Sequence, residues 1–154
     1  MTLSDILRPE AVKVVSETLS KKRLFQKIGD VAHDVYGCMG ARCAEALIDR
    51  EALGPTGVGH GVALPHARLH GIDRVRGLFF KLEHPIEFDA DRRQPVHLVF
   101  ALIAPEEAGV HHLKALALVS RTMRDAGTCA KLRANHEADT LHTVLTEAQA
   151  TAAA

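Results

Sequence analysis

The chain has 154 residues, of which 47% are hydrophobic and 25% charged, enough for one compact domain without metal or disulfide staples. Its 19 basic and 19 acidic residues cancel, aromatic residues make up 4%, and Trp is absent. That balance excludes a basic field for nucleic acid or anionic lipid and gives no base-stacking surface. No apolar run approaches the length of a membrane span, and the N-terminus lacks a basic segment followed by a long apolar one. Neither membrane insertion nor a signal peptide is therefore expected. The cysteines, Cys38, Cys43 and Cys129, are odd in number and form no CxxC pair. They predict free thiols and a cytoplasmic location.

"TLSDILRPE" predicts a short helical lead-in that ends before Pro9, and "AVKVVSE", β-branched at its centre, a first strand. "SKKRLFQKIGDVAHDVYG" carries Leu24, Ile28, Val31, Ala32 and Val35 at helical spacing, with Ser20 as N-cap and Gly37 as stop. His33 lies beside that stripe as a partly exposed helix residue. "MGARCAEALIDREALG" predicts a second helix with Ala44, Leu47 and Ile48 inward, ended by Gly54 and Pro55. Arg50 falls in its last turn, where a cation complements the helix dipole. Short strands are expected around residues 56–59 and 61–64, then a turn at Pro65 and His66. "RVRGLFFKLEHPIEF" contains a strand over residues 74–82, followed by the polar turn "DADRRQP". "VHLVFALIAP" reads as a central strand buried on both faces, with His97 as a hydrogen-bonded core or rim residue. "EEAGVHHLKALALVSRTMRDAG" predicts a helix with the stripe Leu113, Leu116, Ala117 and Met123, and with Gly127 past its end. "CAKLRA" and "ADTLHTVLTEA" predict two further short helices. The order predicts a single α/β domain over residues 1–154, one mixed sheet covered by helices.

The stretch "GVGHGVALPHARLHG" holds three of the chain's 10 histidines, and three readings compete for it. A metal site would draw on His60, His66 and His70, with His111 or His112 as a fourth ligand. Their spacing matches no standard zinc pattern, and only Asp73 and Glu83 lie close enough in sequence to serve as a base for metal-assisted hydrolysis. A structural turn would need only the glycines and Pro65. A phosphoryl acceptor asks for more. The attacking imidazole must be neutral, its other nitrogen must be fixed by a hydrogen bond, and donors must meet a group of roughly −1.5 to −2 charges. Pro65 stiffens the approach to His66, and Gly57, Gly59 and Gly61 keep the walls low. His112 falls in the first turn of a helix, where anions are favoured and an imidazolium is not, and Arg50 offers a cation.

Three segments carry a family resemblance. "DREALGPTGVGHGVALPHARL" resembles the active-site segment of the enzyme IIA proteins of the phosphoenolpyruvate-dependent phosphotransferase system, mannitol/fructose class. "APEEAGVHHLKALALVSRTMRD" resembles the second motif of that family, a histidine followed by leucine in a helix's first turn. "TLSDILRPEAVKVVSETLSKKRLFQKIGDVA" is similar to the start of its nitrogen-regulatory type. The resemblance implies a mixed sheet of about five strands flanked by helices on both faces. It implies that His66 is phosphorylated through Nε2, that His112 hydrogen-bonds the phosphoryl group or positions His66, and that Arg50 neutralises charge. Thr56, Gly57, Gly59 and Pro65 then belong to the loop that holds the phosphate. No cofactor or metal is implied. The implied donor is an HPr-like phosphocarrier, and the implied output is regulation of partners such as potassium transporters or sensor kinases. A sugar-transport role, passing the group to a separate IIB, is the alternative, and a docking module that is never phosphorylated is a third reading. Pro55 stands where the family often has a small hydroxyl residue, and His60, His70 and His111 have no role in the pattern.

Overall fold

Residues 1–88 and 95–153 are described by a computed structural model, with side chains as far as Glu147. Residues 89–94 of the expected "DADRRQP" turn lie outside the described residues.

Helix α1 (Leu3–Ile6) is closed by a capping box between Thr2 and Asp5, and a 3-10 turn at Pro9–Ala11 feeds strand β1 (Val12–Val15). Helix α2 (Lys21–Tyr36) begins where the hydroxyl of Ser20 accepts the N–H of Arg23 at 3.1 Å. It stops at Gly37, which takes the left-handed conformation with φ 73°. Its apolar face buries Leu24, Phe25, Ile28, Val31 and Ala32. Helix α3 (Gly40–Leu53) packs so closely on α2 that a Cβ at Gly29 would run into the carbonyl oxygen of Gly40. Three short strands follow, β2 (Gly57–Gly59), β3 (Val62–Ala63) and β4 (His66–Leu69), then two long ones, β5 (Arg76–Glu87) and β6 (Pro95–Pro105). Helices α4 (Val110–Arg124), α5 (Ala126–Ala134) and α6 (Ala138–Ala153) complete the chain.

The strands form one mixed sheet in the order β1-β5-β6-β3-β2, with β4 also paired to β6. β1 runs parallel to β5, β5 antiparallel to β6, and both β3 and β4 parallel to β6. Residues 98–104 of β6 are all buried, so helices cover both faces of the sheet, as the continuous apolar run required. Phe79 and Phe100 are cross-strand partners whose rings meet edge to face at 6.1 Å, worth about 0.5–1.5 kcal/mol beyond their burial. The cysteines are buried, and desolvation pushes the Cys43 thiol up to about 12.

Five sequence expectations are corrected. His66 opens a sixth strand rather than a turn: β3 and β4 line up on one edge of β6 and are interrupted only at Leu64 and Pro65. Pro65 has no N–H for the ladder but still accepts the N–H of Leu102, so the edge resumes at once. Strand β5 starts and ends later than the 74–82 estimate, a register shift after Lys81 carrying it on to Glu87. Helix α4 is rotated from the expected stripe: His112, Ala115, Leu118, Val119, Thr122 and Met123 face inward, while Leu113 is 64% exposed and Ala117 is exposed. Two polar residues on the inner face, His112 and Thr122, conceal its true phase from an apolar pattern. Finally, Gly127 lies inside α5, because Asp125 caps the N–H and hydroxyl of Thr128 and starts a new helix there, and α6 is as long as α2.

Candidate functional site

The break at Leu64 and Pro65 builds the site. The N–H of Leu64 turns away from β6 to the carbonyl of Thr56 at 3.0 Å. The carbonyl of Leu64 meets the ring of His66, with Nδ1 at 2.9 Å. A carbonyl oxygen only accepts, so Nδ1 of His66 carries the proton, and Nε2 of the neutral ring holds a lone pair. His66 is half-buried at the edge of the sheet.

His112, in the first turn of α4, faces His66 with ring centroids 5.9 Å apart and planes inclined at 64°. It is 7% exposed. Burial, His66 and Arg68 together push its pKa below the ordinary value, so the ring is neutral at pH 7. Its Nδ1 receives the Nε–H of Arg68 at 3.4 Å, and its Nε2 is buried with no hydrogen-bond partner among the described residues. Of the two adjacent histidines, the geometry brings only His112 to His66. His111 is exposed and instead lines a cavity of about 500 Å³ with Ile6, Val75 and Pro105.

Arg68 is absent from the sequence expectations. It lies two residues after His66 in β4, and a strand's period of two puts both on one side, while Ala67 and Leu69 are buried on the other. Reading His66 as a turn residue hides that signal. Nη1 of Arg68 also donates to the carbonyl of Glu106 at 3.3 Å, tying β4 to the loop before α4.

Residues 5–148 match the family described as "Phosphoenolpyruvate-dependent sugar phosphotransferase system, EIIA 2". The chain belongs to that EIIA family. It is 42% identical over 153 residues to the nitrogen regulatory protein of Bradyrhizobium diazoefficiens, covering 99% of this chain and 100% of that one. The nitrogen regulatory protein of Escherichia coli is 36% identical over 153 residues, covering 98% of this chain and 93% of that one. The crystal structure of nitrogen regulatory protein IIA-Ntr from Neisseria meningitidis superposes with a TM-score of 0.84 at 33% identity, covering 94% of this chain and 99% of that one.

In this EIIA protein the remaining expected site residues hold the loop. Thr56 is buried, and its N–H and hydroxyl both go to the carboxylate of Glu51, at 3.1 and 2.5 Å. Glu51 in turn pairs with Lys21 at 2.7 Å. The Thr56 hydroxyl proton is therefore spent within the protein. Gly57 and Gly59 form β2 against β3, with an irregular register between them. The turn that follows has positive φ at Gly59 (90°), His60 (55°) and Gly61 (77°). A Cβ at Gly61 would collide with the ring of His97, and Arg133 clamps the same turn by donating to the carbonyl of His60 and to Nε2 of His97. Arg50 donates from Nη1 to the carbonyl of Gly54 at 3.0 Å and makes no hydrogen bond to His66 or His112 among the described residues. His60 and His70 are exposed, the latter beside the carboxylate of Glu106. Among the described residues, no group of three or more His, Cys, Asp or Glu gathers to hold a metal ion, and no helix is long and apolar enough to cross a membrane.

Proposed function

We propose that the protein is a phosphohistidine carrier whose nucleophile is Nε2 of His66. The observation that carries this reading is the bond from Nδ1–H of His66 to the carbonyl of Leu64, which in the neutral ring puts the lone pair on Nε2. The lone pair of Nε2 attacks the phosphorus of a phosphohistidine on an HPr-like donor. As the new N–P bond forms, the donor's P–N bond breaks and its electron pair returns to the donor imidazole. No proton has to leave His66. The arriving group brings roughly −1.5 to −2 charges beside the first turn of α4. The partnerless Nε2–H of His112 gives one of its oxygens a hydrogen bond, and Arg50 supplies positive charge. Thr56, Gly57, Gly59 and Pro65 act by holding the floor of the site in place rather than by touching the phosphoryl group.

The similarity to nitrogen regulatory proteins over nearly the whole chain supports a regulatory output, with the phosphorylation state read by partner proteins in the cytoplasm. Such a charge switch strengthens some contacts and repels others. Potassium transporters and sensor kinases are the partner classes to test.

The test is an intact-mass measurement after incubation with phosphoenolpyruvate, enzyme I and the HPr-like carrier of the same system. A gain of one phosphoryl group, lost in acid and missing from His66→Ala, is expected. No gain with matched donors overturns the carrier reading.

A further inference from the structure

We propose that Arg68 is a positioning residue for phosphoryl transfer: by donating Nε–H to Nδ1 of His112, it fixes that ring as the Nε2–H tautomer and keeps its one donor available to the group on His66. The inference rests on the carrier reading above and extends it to a residue outside the sequence pattern. A guanidinium has donors and no acceptor, and it stays charged at every accessible pH. Against it, an imidazolium or an Nδ1–H tautomer of His112 would set one N–H against another. Only the neutral ring with its proton on Nε2 is compatible with the contact at 3.4 Å.

Arg68 is suited to this task by its own fixing. It shares the outward side of β4 with His66, and its second bond, from Nη1 to the carbonyl of Glu106, holds the guanidinium between β4 and the start of α4. The two elements that carry the reacting histidine and its helper are thus joined by one side chain. The charged and titratable groups bearing on His112 are His66 and Arg68, both from β4. Removing Arg68 therefore leaves His112 free to exchange tautomers and lets it protonate at a higher pH.

Two-bond ¹H–¹⁵N correlation spectra of the unphosphorylated full chain read the tautomer directly. In the wild type, Nδ1 of His112 is expected to be an unprotonated acceptor and Nε2 to carry the proton. In Arg68→Met the Nδ1 signal should lose its hydrogen-bond shift, the tautomers should mix, and the titration midpoint of His112 should rise. Arg68→Lys, which keeps a donor-only cation, should restore all three. Transfer from the HPr-like donor should fall about tenfold in the Met variant and recover in the Lys variant, while both variants still unfold cooperatively in urea. A wild-type His112 protonated on Nδ1, or a His112 spectrum unchanged in Arg68→Met, overturns the proposal while leaving the carrier reading intact. A wild-type chain that shows the expected tautomer but takes up no phosphoryl group overturns the carrier reading, and the proposed service of Arg68 with it.

Discussion

Two histidines face each other in this site, and their second nitrogens have different partners. Nδ1 of His66 meets an acceptor, which in the neutral ring puts the lone pair on Nε2; Nδ1 of His112 meets a donor, which puts the proton of that ring on Nε2. His112→Ala should therefore slow transfer roughly ten- to hundredfold, the worth of one hydrogen bond to a charged group, with His66 still competent. Single-turnover transfer from the phosphorylated donor measures this, and an unchanged rate would remove His112 from the site. Thr56 is the contrasting case, a residue of the pattern whose hydroxyl already serves Glu51. Thr56→Val keeps the shape and strands a buried carboxylate oxygen, so urea unfolding should show a loss of about 1–3 kcal/mol. Arg50→Ala should cost about 0.5–1.5 kcal/mol from the bond to Gly54, read by urea unfolding, and should shorten the phosphohistidine lifetime; an unchanged lifetime would leave Arg50 only the end of α3.

Among the elements, α4 and the β3–β4 edge bring His112 and His66 together. The rotation of α4 that brings His112 inward also leaves Val110 and Leu113 exposed, at 62% and 64%. Leu118→Ala should cost about 2–5 kcal/mol, whereas Leu113→Ala should stay within about 0.5 kcal/mol. Equal losses would return the helix to the phase its apolar spacing suggested. On the sheet edge, the left-handed turn before β3 is pinned between Arg133 and His97. Caps and breakers were legible in the sequence here: Ser20, Gly37 and the pause at Gly54 and Pro55 stand where local chemistry puts them. The short strand β4 was not legible, because its four residues gain strand geometry from pairing with β6 rather than from their own propensity.

For the whole molecule, the lowered pKa values of His97 and His112, both due first to burial, fix the direction of a pH response. Below the ordinary histidine value of 6.5, an unfolded chain binds protons at these sites that the folded chain still refuses. Stability should thus fall as pH drops from 6.5 toward the lower folded values, and these groups should contribute no slope above it. Urea midpoints at pH 7.5 and 5.5 test this, and His97→Gln with His112→Gln should flatten the difference. Asp5 and Asp125, held below 3.8 by their caps, enter only in stronger acid. The sequence by itself determined the α/β class, the buried central strand, the start and stop of α2, the stop of α3, and the candidacy of His66, since each is written in local spacing and composition. Only the tertiary structure decided that His112 rather than His111 meets His66, that Arg68 reaches His112, and that Thr56 is already occupied. Those outcomes depend on the phase of a helix against a sheet and the register of an edge strand. Packing between segments distant in the chain sets both, and no local pattern encodes them.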